Sequence, residues 1–214
     1  MIVDLFLHLD HHLVELLALY GGWIYAILFA IIFAETGFVV TPFLPGDSLL
    51  FGVGALAAVD QSGTLRIGWV FLLMSVAALA GNTVNYSIGR QIGQRAFSGQ
   101  YRFFKLSYLM RTQQYFLRYG GLTVLLSRFM PIIRTFAPFV AGIGRMPYHR
   151  FQLFNAIGGV AWVALFIFGG FAFGNLPWVQ THFSIVTLIV IAISLLPMAI
   201  VAIRARFGSA APST

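Results

Sequence analysis

Three long apolar stretches decide what this chain can fold into. Residues 66–88, 151–174 and 183–203 are each long enough to cross a bilayer as a helix, which takes about 20 residues, and the last contains no charged residue. The chain of 214 residues is 59% hydrophobic and 9% charged, whereas about 25% of the residues in a soluble domain are charged. The sequence therefore predicts an all-α integral membrane protein rather than a soluble protein with an apolar core.

Two further apolar segments, residues 22–59 and 121–145, are interrupted by residues that break helices. The breaks are Pro42, Pro45 and Gly46 in the first segment and Pro131 and Pro138 in the second. The arms beside the first break are too short to span a bilayer alone, and prolines interrupt helical hydrogen bonding. Irregular backbone survives at membrane depth only where protein buries it or where it lines a wet cavity. We therefore expect each segment to form a re-entrant helical hairpin.

Each interrupted segment carries charge of one sign only. Glu35 and Asp47 lie in the first segment, and Arg128 and Arg134 lie in the second. A charged side chain at the bilayer centre costs at least about 2.5–3.5 kcal/mol, so these four groups need partners. We expect the two hairpins to face each other and to join the four side chains in one site.

The placement of charge along the chain predicts its topology. All six Asp and Glu lie in the first 60 residues, and all thirteen Lys and Arg lie after residue 65. Residues 90–118 hold six basic residues and no acid, and Arg204 and Arg206 follow the last span. The positive-inside rule places both regions in the cytoplasm, so the hairpin before span 66–88 lies on the outer side and the second hairpin enters from the cytoplasm. Two like units of opposite orientation form an inverted repeat.

The remaining regions are predicted to lie at the membrane surface or in solution. Residues 1–20 and 108–119 have the pattern of interfacial amphipathic helices, and residues 207–214 are expected to be a disordered tail. His8 and His12, or His11 and Glu15, have the spacing of metal ligands, but a solvated polar face is the simpler interpretation, so no metal site is predicted. The side of the membrane on which the amino terminus lies stays open.

A stripe of small and polar residues begins within the first long span and continues past its end. Gly81, Asn85, Gly89 and Gly93 recur at every fourth position, a spacing that lets two helices approach closely. Other polar residues in the spans either join helices by hydrogen bonds or line a cavity, and the sequence leaves both open: Asn82, Asn85, Tyr86 and Asn155.

The charged residues suggest a chemistry. The planar donor forks of Arg128 and Arg134 suit a phosphate, while Glu35 and Asp47 can take up protons when an anionic head group displaces them from the arginines. A purely structural charge network is the alternative, but it does not explain why all four residues lie at helix breaks. Walker, zinc-protease and lipid-phosphatase motifs are absent from the sequence. We therefore expect a transporter, not an enzyme, and no cofactor.

Three blocks of sequence match a known pattern: residues 35–51, 81–90 and 128–142, followed by Phe151, Asn155, Gly158 and Trp162. In these blocks the chain resembles the DedA family, also called the SNARE-associated or VTT-domain family. The resemblance implies one transmembrane domain over residues 1–206, in the bacterial inner membrane, with two facing re-entrant loops. It also implies that the family's essential acids fall on Glu35 and Asp47, and its essential arginines on Arg128 and Arg134. At position 82 the family pattern has an acid where this chain has Asn82, which argues against an ion relay there.

The expected function is movement of a membrane lipid between leaflets. Undecaprenyl phosphate is the leading substrate, because two arginines suit one phosphate, and a glycerophospholipid is the other, with proton coupling. Flipping or scrambling of phosphatidylethanolamine is an alternative within this class, and a non-transporting scaffold that supports the cell envelope is an alternative outside it. Expected partners are membrane lipids and protons, with a homo-oligomer left open and no nucleic acid.

Overall fold

Helices make up the regular structure in the part of the chain that a computed structural model describes, which is residues 21–38, 46–60, 63–97, 120–128, 130–181, 185, 186 and 189. Several predictions concern residues outside these ranges, namely those for residues 1–20, 108–119 and 207–214, for most of span 183–203, and for Pro42 and Pro45. After a short 3-10 turn at Gly21–Trp23, the helices are α1 (Ile24–Gly37), α2 (Gly46–Val59), α3 (Ile67–Phe97), α4 (residues 120–127), α5 (Pro131–Ile143), α6 (Tyr148–Gly174) and α7 (Pro177–Thr181).

Two of these helices are long and apolar enough to cross a membrane. The apolar stretches are Ile67–Gly93 in α3 and Tyr148–Gly174 in α6, with 27 residues each. A helix of that length extends about 40 Å, which exceeds the bilayer core of about 30 Å. Both predicted spans are therefore helical, but α3 continues to Phe97, so the basic segment predicted as a loop from residue 90 begins as a helix.

Helix α2 packs along α6, which lies in the other half of the chain. Asp47 at the start of α2 contacts Trp162, and Ala55 further along α2 lies against Gly174. The two helices therefore run in the same direction. A Cβ atom on Gly174 would lie 2.6 Å from the Cα atom of Ala55, so the backbones touch where glycine provides the space.

Helix α5 of the second half packs along α3, the long helix of the first half. Thr135 near the start of α5 contacts Asn85, and Ile143 at its end lies against Gly93. These two helices also run in the same direction. A Cβ atom would lie 2.8 Å from the carbonyl carbon of Phe139 if built on Gly89, and 2.8 Å from Ile143 Cα if built on Gly93. The close helix contact predicted from the four-residue stripe is confirmed.

The long helices cross with opposite direction. Gln152 near the start of α6 donates to Thr83 Oγ1 at 2.8 Å, and Gly159 further along α6 lies against Leu79. Residue numbers therefore increase along α6 as they decrease along α3, so the two helices are antiparallel. Helix α2 packs along α6, and α5 packs along α3. The two halves of the chain are therefore interlocked, because a short helix of each half covers the long helix of the other.

The two predicted helix breaks of the second segment have different outcomes. Pro131 is at the first position of α5, where its missing N–H costs nothing. Pro138 lies inside α5 and does not end it, so the prediction of a break there was wrong. The helix continues because the residues after Pro138 pack closely on α3, but the Arg134 carbonyl lacks the i+4 donor that a residue other than proline would supply.

The core lies between α1, α2, α3 and α6, where Ile32, Leu50, Met74 and Ile167 are almost fully buried. Large apolar side chains on the outer faces of the long helices are exposed, as expected for surfaces that face lipid tails rather than water. They include Trp69, Leu72, Leu153, Leu165 and Phe173.

Candidate functional site

Four charged side chains meet where the short helices end. Glu35 is in the last turn of α1, Asp47 in the first turn of α2, Arg128 directly after α4 and Arg134 in the first turn of α5. None of them is more than 7% exposed. The helix breaks of both segments therefore place charge at the centre of the interlocked halves, as expected from the sequence, but among the described residues Glu35 and Asp47 pair with Arg134 and not with Arg128.

Arg134 forms two ion pairs with the described carboxylates of this centre. Its Nη1 atom donates to Asp47 Oδ1, and its Nη2 atom donates to Glu35 Oε1. One planar guanidinium thus holds carboxylates from two helices at the same time, a geometry that lysine does not reproduce. The ion pairs tie α5 to both α1 and α2.

Neutral donors also contact the two carboxylates. The Gly46 backbone N–H donates to Glu35 Oε1 at 3.2 Å, and the Trp162 indole N–H donates to Asp47 Oδ1 at 2.8 Å. A Cβ atom on Gly46 would lie 2.7 Å from the Glu35 carboxyl carbon. Gly46 therefore starts α2, and it also makes room for the Glu35 carboxylate.

Trp162 also contacts the arginines. The centroid of its ring lies 4.9 Å from Arg134 Cζ and 5.9 Å from Arg128 Cζ, within the range of cation–π attraction. Sequence reasoning used Trp162 only as part of a family pattern and gave it no role in the site. Trp162 lies seven residues after Asn155, which puts both side chains on one face of the helix, and this spacing could have predicted its place in the site.

Arg128 has a different environment from Arg134. Its Nη2 atom donates to Asn155 Oδ1 at 2.6 Å. The Asn82 amide lies between these groups in one of two orientations. In one, its nitrogen donates to Asn155 Oδ1 at 2.9 Å; in the other, which suits a guanidinium because it offers only donors, its oxygen accepts from Arg128 Nη2 at 2.5 Å and its nitrogen donates to the Thr36 carbonyl at 3.2 Å. Within the described residues, Arg128 is held by side-chain amides and forms no ion pair.

The other polar residues of the spans join helices. Asn85 donates to the Thr36 carbonyl at 3.3 Å and to the Thr135 carbonyl at 2.7 Å, which links α1, α3 and α5. Tyr86 donates to the Met146 carbonyl, and its ring stacks on Phe151 with centroids 4.3 Å apart. Of the two roles left open by the sequence, these contacts show the joining one, and Asn82 and Asn155 additionally contact the charged site.

Several buried polar atoms of the site have unused bonding capacity. Glu35 Oε2, Arg134 Nε and Asn85 Oδ1 have no hydrogen-bond partner among the described residues. A buried polar atom that lacks a partner costs about 1–3 kcal/mol, so these atoms favour a further polar group or a proton in the site. Within the same parts of the chain, no three His, Asp or Glu side chains come together as ligands for a metal ion.

The comparison with known families identifies the kind of protein that carries this site. The VTT domain matches residues 44–172, which contain Asp47, both arginines and Trp162. The chain belongs to the DedA family. It is 49% identical to Protein DedA of Escherichia coli K12 over 210 residues, covering 98% of this chain and 95% of that protein.

Other DedA-family relatives agree on location. Identity is 38% over 186 residues to an uncharacterized membrane protein of Mycobacterium tuberculosis, with 86% of this chain and 81% of that protein covered. It is 35% over 160 residues to the inner membrane protein YghB of Escherichia coli K12, with 74% and 72% covered. No solved structure matches the chain. These relatives and the two long apolar helices make this DedA-family chain a membrane protein.

Proposed function

We propose that this protein moves lipids with an anionic phosphate head group between the leaflets of the bacterial inner membrane, with undecaprenyl phosphate as its leading substrate and protons as the coupling ion. The observation that carries the proposal is the buried centre in which Arg134 holds Glu35 and Asp47 across the two halves of the chain. Buried ion pairs are weak contributors to stability, and charged residues within a membrane usually mark a transport pathway.

The arrangement of the short helices supports a transporter architecture. Helices α1 and α2 have 14 residues each and α5 has 13, so each extends only about 20 Å of the roughly 30 Å core. Helix α1 runs parallel to α3. It begins beside Arg66, whose backbone N–H donates to the Tyr25 hydroxyl, and it ends beside Gly81. We infer that α1 enters the membrane and that α2 returns to the same side.

The second half has the matching arrangement. Helix α4 runs parallel to α6. Gly121 at its start lies beside Phe154 of α6, and Arg128 just after its end lies beside Gly159 of α6. The chain then turns at Pro131 and α5 returns. Since α3 and α6 are antiparallel, the two proposed re-entrant hairpins enter from opposite sides, and their tips meet at mid-membrane. This is the inverted-repeat plan in which transporters place their binding sites.

The chemistry of transport follows from the competition for arginine. A phosphate offers the same bidentate acceptors as a carboxylate, so a head group that reaches Arg134 displaces Glu35 or Asp47. A displaced carboxylate that remains buried is costly as an anion and takes up a proton. Lipid binding and proton binding are therefore linked, and release of the lipid on the other side restores the ion pairs. The protein breaks no covalent bond of the lipid in this scheme.

Lipid exchange in liposomes tests the proposal. Purified protein is reconstituted with a labelled isoprenoid phosphate or labelled phosphatidylethanolamine, and exchange between leaflets is followed with and without a pH gradient. Wild-type protein is expected to speed exchange of the isoprenoid phosphate, and Glu35→Ala and Arg134→Ala are expected to abolish the effect. Equal exchange by all three proteins, or no more than in protein-free liposomes, rejects the transporter and favours a scaffold. Release of inorganic phosphate would instead indicate an enzyme.

Replacing arginine by lysine separates phosphate capture from charge balance. Arg134→Lys keeps the positive charge but loses the planar fork, so exchange is expected to fall by about tenfold or more. The matched control is Arg66→Lys at an exposed position before α3, which should leave exchange unchanged. Full activity of Arg134→Lys would show that the residue only balances charge.

A further inference from the structure

The two arginines of the site have unequal access to negative charge. The sequence contains six acids, and the described residues include three of them, Glu35, Asp47 and Asp60. Arg134 takes the first two, while Asp60 accepts the Leu65 backbone N–H at 2.8 Å in the turn before α3. Residues 39–45, which connect α1 to α2, contain no acid. Among the described residues, the carboxylates of the site therefore pair with Arg134.

Arg128 is surrounded instead by neutral acceptors. Asn155 of α6 directs its side-chain oxygen at the Nη2 atom. The Asn82 amide of α3 has two orientations: in one its oxygen accepts from the same Nη2 atom, and in the other its nitrogen donates to Asn155 Oδ1 at 2.9 Å. The Asn155 amide nitrogen donates to the Leu79 carbonyl at 3.3 Å, and in the first orientation the Asn82 amide nitrogen donates to the Thr36 carbonyl at 3.2 Å. The two amides therefore orient the guanidinium without cancelling its charge.

The remaining donors of Arg128 are positioned for a further partner. Among the described residues, hydrogen bonds engage only its Nη2 atom, so Nη1 and Nε keep the paired N–H groups of the guanidinium edge. Gly159 provides the space for this side chain, because a Cβ atom there would lie 3.0 Å from Nη2. A buried cation without a counter-ion is costly, and a bound anion removes that cost.

We propose that Asn82 and Asn155 are specificity-determining residues that hold Arg128 without a carboxylate partner from the described residues, so that it forms a standing subsite for a phosphate monoanion or dianion. The proposal deepens the function proposed above and rests on it for the identity of the lipid. A carboxylate in place of either amide oxygen occupies Arg128 permanently and competes with the phosphate. The asparagines are positioning residues, because they act on the ligand through Arg128.

Equilibrium binding of a single-chain phosphate tests this inference. Dodecyl phosphate is titrated into the purified full-length protein in a neutral detergent, and its Kd is measured by calorimetry. Asn82→Asp is expected to weaken binding by about tenfold or more, because a charge pair now has to be broken. Asn82→Ala loses the same hydrogen bonds without adding charge and is expected to stay within about threefold of wild type.

Two further variants keep the result interpretable. Asn155→Asp places the carboxylate on the other side of Arg128 and should weaken binding as Asn82→Asp does, which covers the case in which one variant fails to fold. Asn175→Asp, at the exposed end of α6, is the matched control and should bind as wild type does. In liposomes, the aspartate variants should raise the half-saturating lipid fraction more than they lower the maximal rate.

The outcomes separate this inference from the proposed function. Equal binding by Asn82→Asp and Asn82→Ala, or no binding of dodecyl phosphate to wild type, overturns the subsite. If wild type moves lipid but the aspartate and alanine variants bind alike, the inference fails and the proposed function stands. If wild type binds dodecyl phosphate with the expected order of variants but moves no lipid, the proposed function fails and the subsite stands.

Discussion

At the scale of single residues, the site shows how two identical side chains come to differ. Arg128 and Arg134 lie close together in sequence, yet Arg134 receives two carboxylates and Arg128 receives two amides. The difference arises because Arg134, in the first turn of α5, faces the end of α1 and the start of α2, whereas Arg128, directly after α4, faces the middle of α3 and α6. Trp162 is the neutral side chain that contacts both guanidiniums.

Trp162 makes two separable contributions to the site. Trp162→Phe keeps an aromatic ring against the arginines but removes the N–H that donates to Asp47. A hydrogen bond to a charged group contributes about 1.5–3 kcal/mol, so lipid exchange is expected to fall by about tenfold or more in the liposome assay. Trp162→Leu removes the ring as well and should lower exchange further.

The control for this pair is Trp178→Phe, since Trp178 lies at an exposed position of α7. Exchange by Trp178→Phe is expected to match wild type. If Trp162→Phe also matches wild type, the indole N–H has no part in holding Asp47.

At the scale of helices, two backbone contacts hold the halves together. Gly174 lets α6 approach α2, and Gly93 lets α3 approach α5, in each case with the two helices parallel. Lipid tails provide no hydrophobic drive for helix association, so packing at such close contacts supplies much of the stability. Of the short helices, α2 and α5 pack mainly on the long helix of the other half, so these contacts hold them in place.

Two adjacent glycines of α6 allow a matched test of the contact. A Cβ atom on Gly170 would lie 2.8 Å from the carbonyl carbon of Phe51, whereas a Cβ atom on Gly169 would meet nothing within 4 Å. Gly170→Ala is expected to destabilise the protein by about 1–3 kcal/mol through overpacking. Gly169→Ala should stabilise it by about 0.5–1 kcal/mol through helix propensity. Thermal unfolding in detergent measures both, and equal melting temperatures would contradict the contact.

At the scale of the whole molecule, the reciprocal packing gives each half the partner that it lacks. The first half supplies both carboxylates and the second half supplies both guanidiniums, so neither half carries a balanced site by itself. Because α2 lies on α6 and α5 lies on α3, a movement of one half against the other changes both sets of contacts at once. This arrangement suits the proposed alternation between lipid-loaded and proton-loaded states.

The proposed inverted orientation predicts where labels react. The chain contains no cysteine, so single cysteines can be labelled without background. Thr64→Cys lies in the turn between α2 and α3, and His149→Cys lies at the exposed start of α6. A maleimide that does not cross membranes is expected to label the first from outside intact cells and the second only after the inner membrane is opened. Labelling of both from the same side would contradict the inverted repeat.

The sequence alone determined the class of protein and the chemistry of its centre. Membrane helices follow from apolar length, and the positions of the helix ends at Gly46 and Pro131 follow from local backbone chemistry. That Glu35 and Asp47 meet arginine also follows, because the cost of a lone charge in a membrane leaves few other arrangements. The glycine stripe of α3 is equally local, since spacing by four puts its members on one helix face.

The tertiary structure decided which partners these residues have. It gave both acids to Arg134 and both amides to Arg128, placed Trp162 between them, and kept Pro138 within α5. These outcomes depend on residues about 30 to 115 positions apart in the chain. Local spacing fixes the face on which a side chain lies, but the choice among distant partners is made by the packing of one half of the chain on the other, which no short-range pattern encodes.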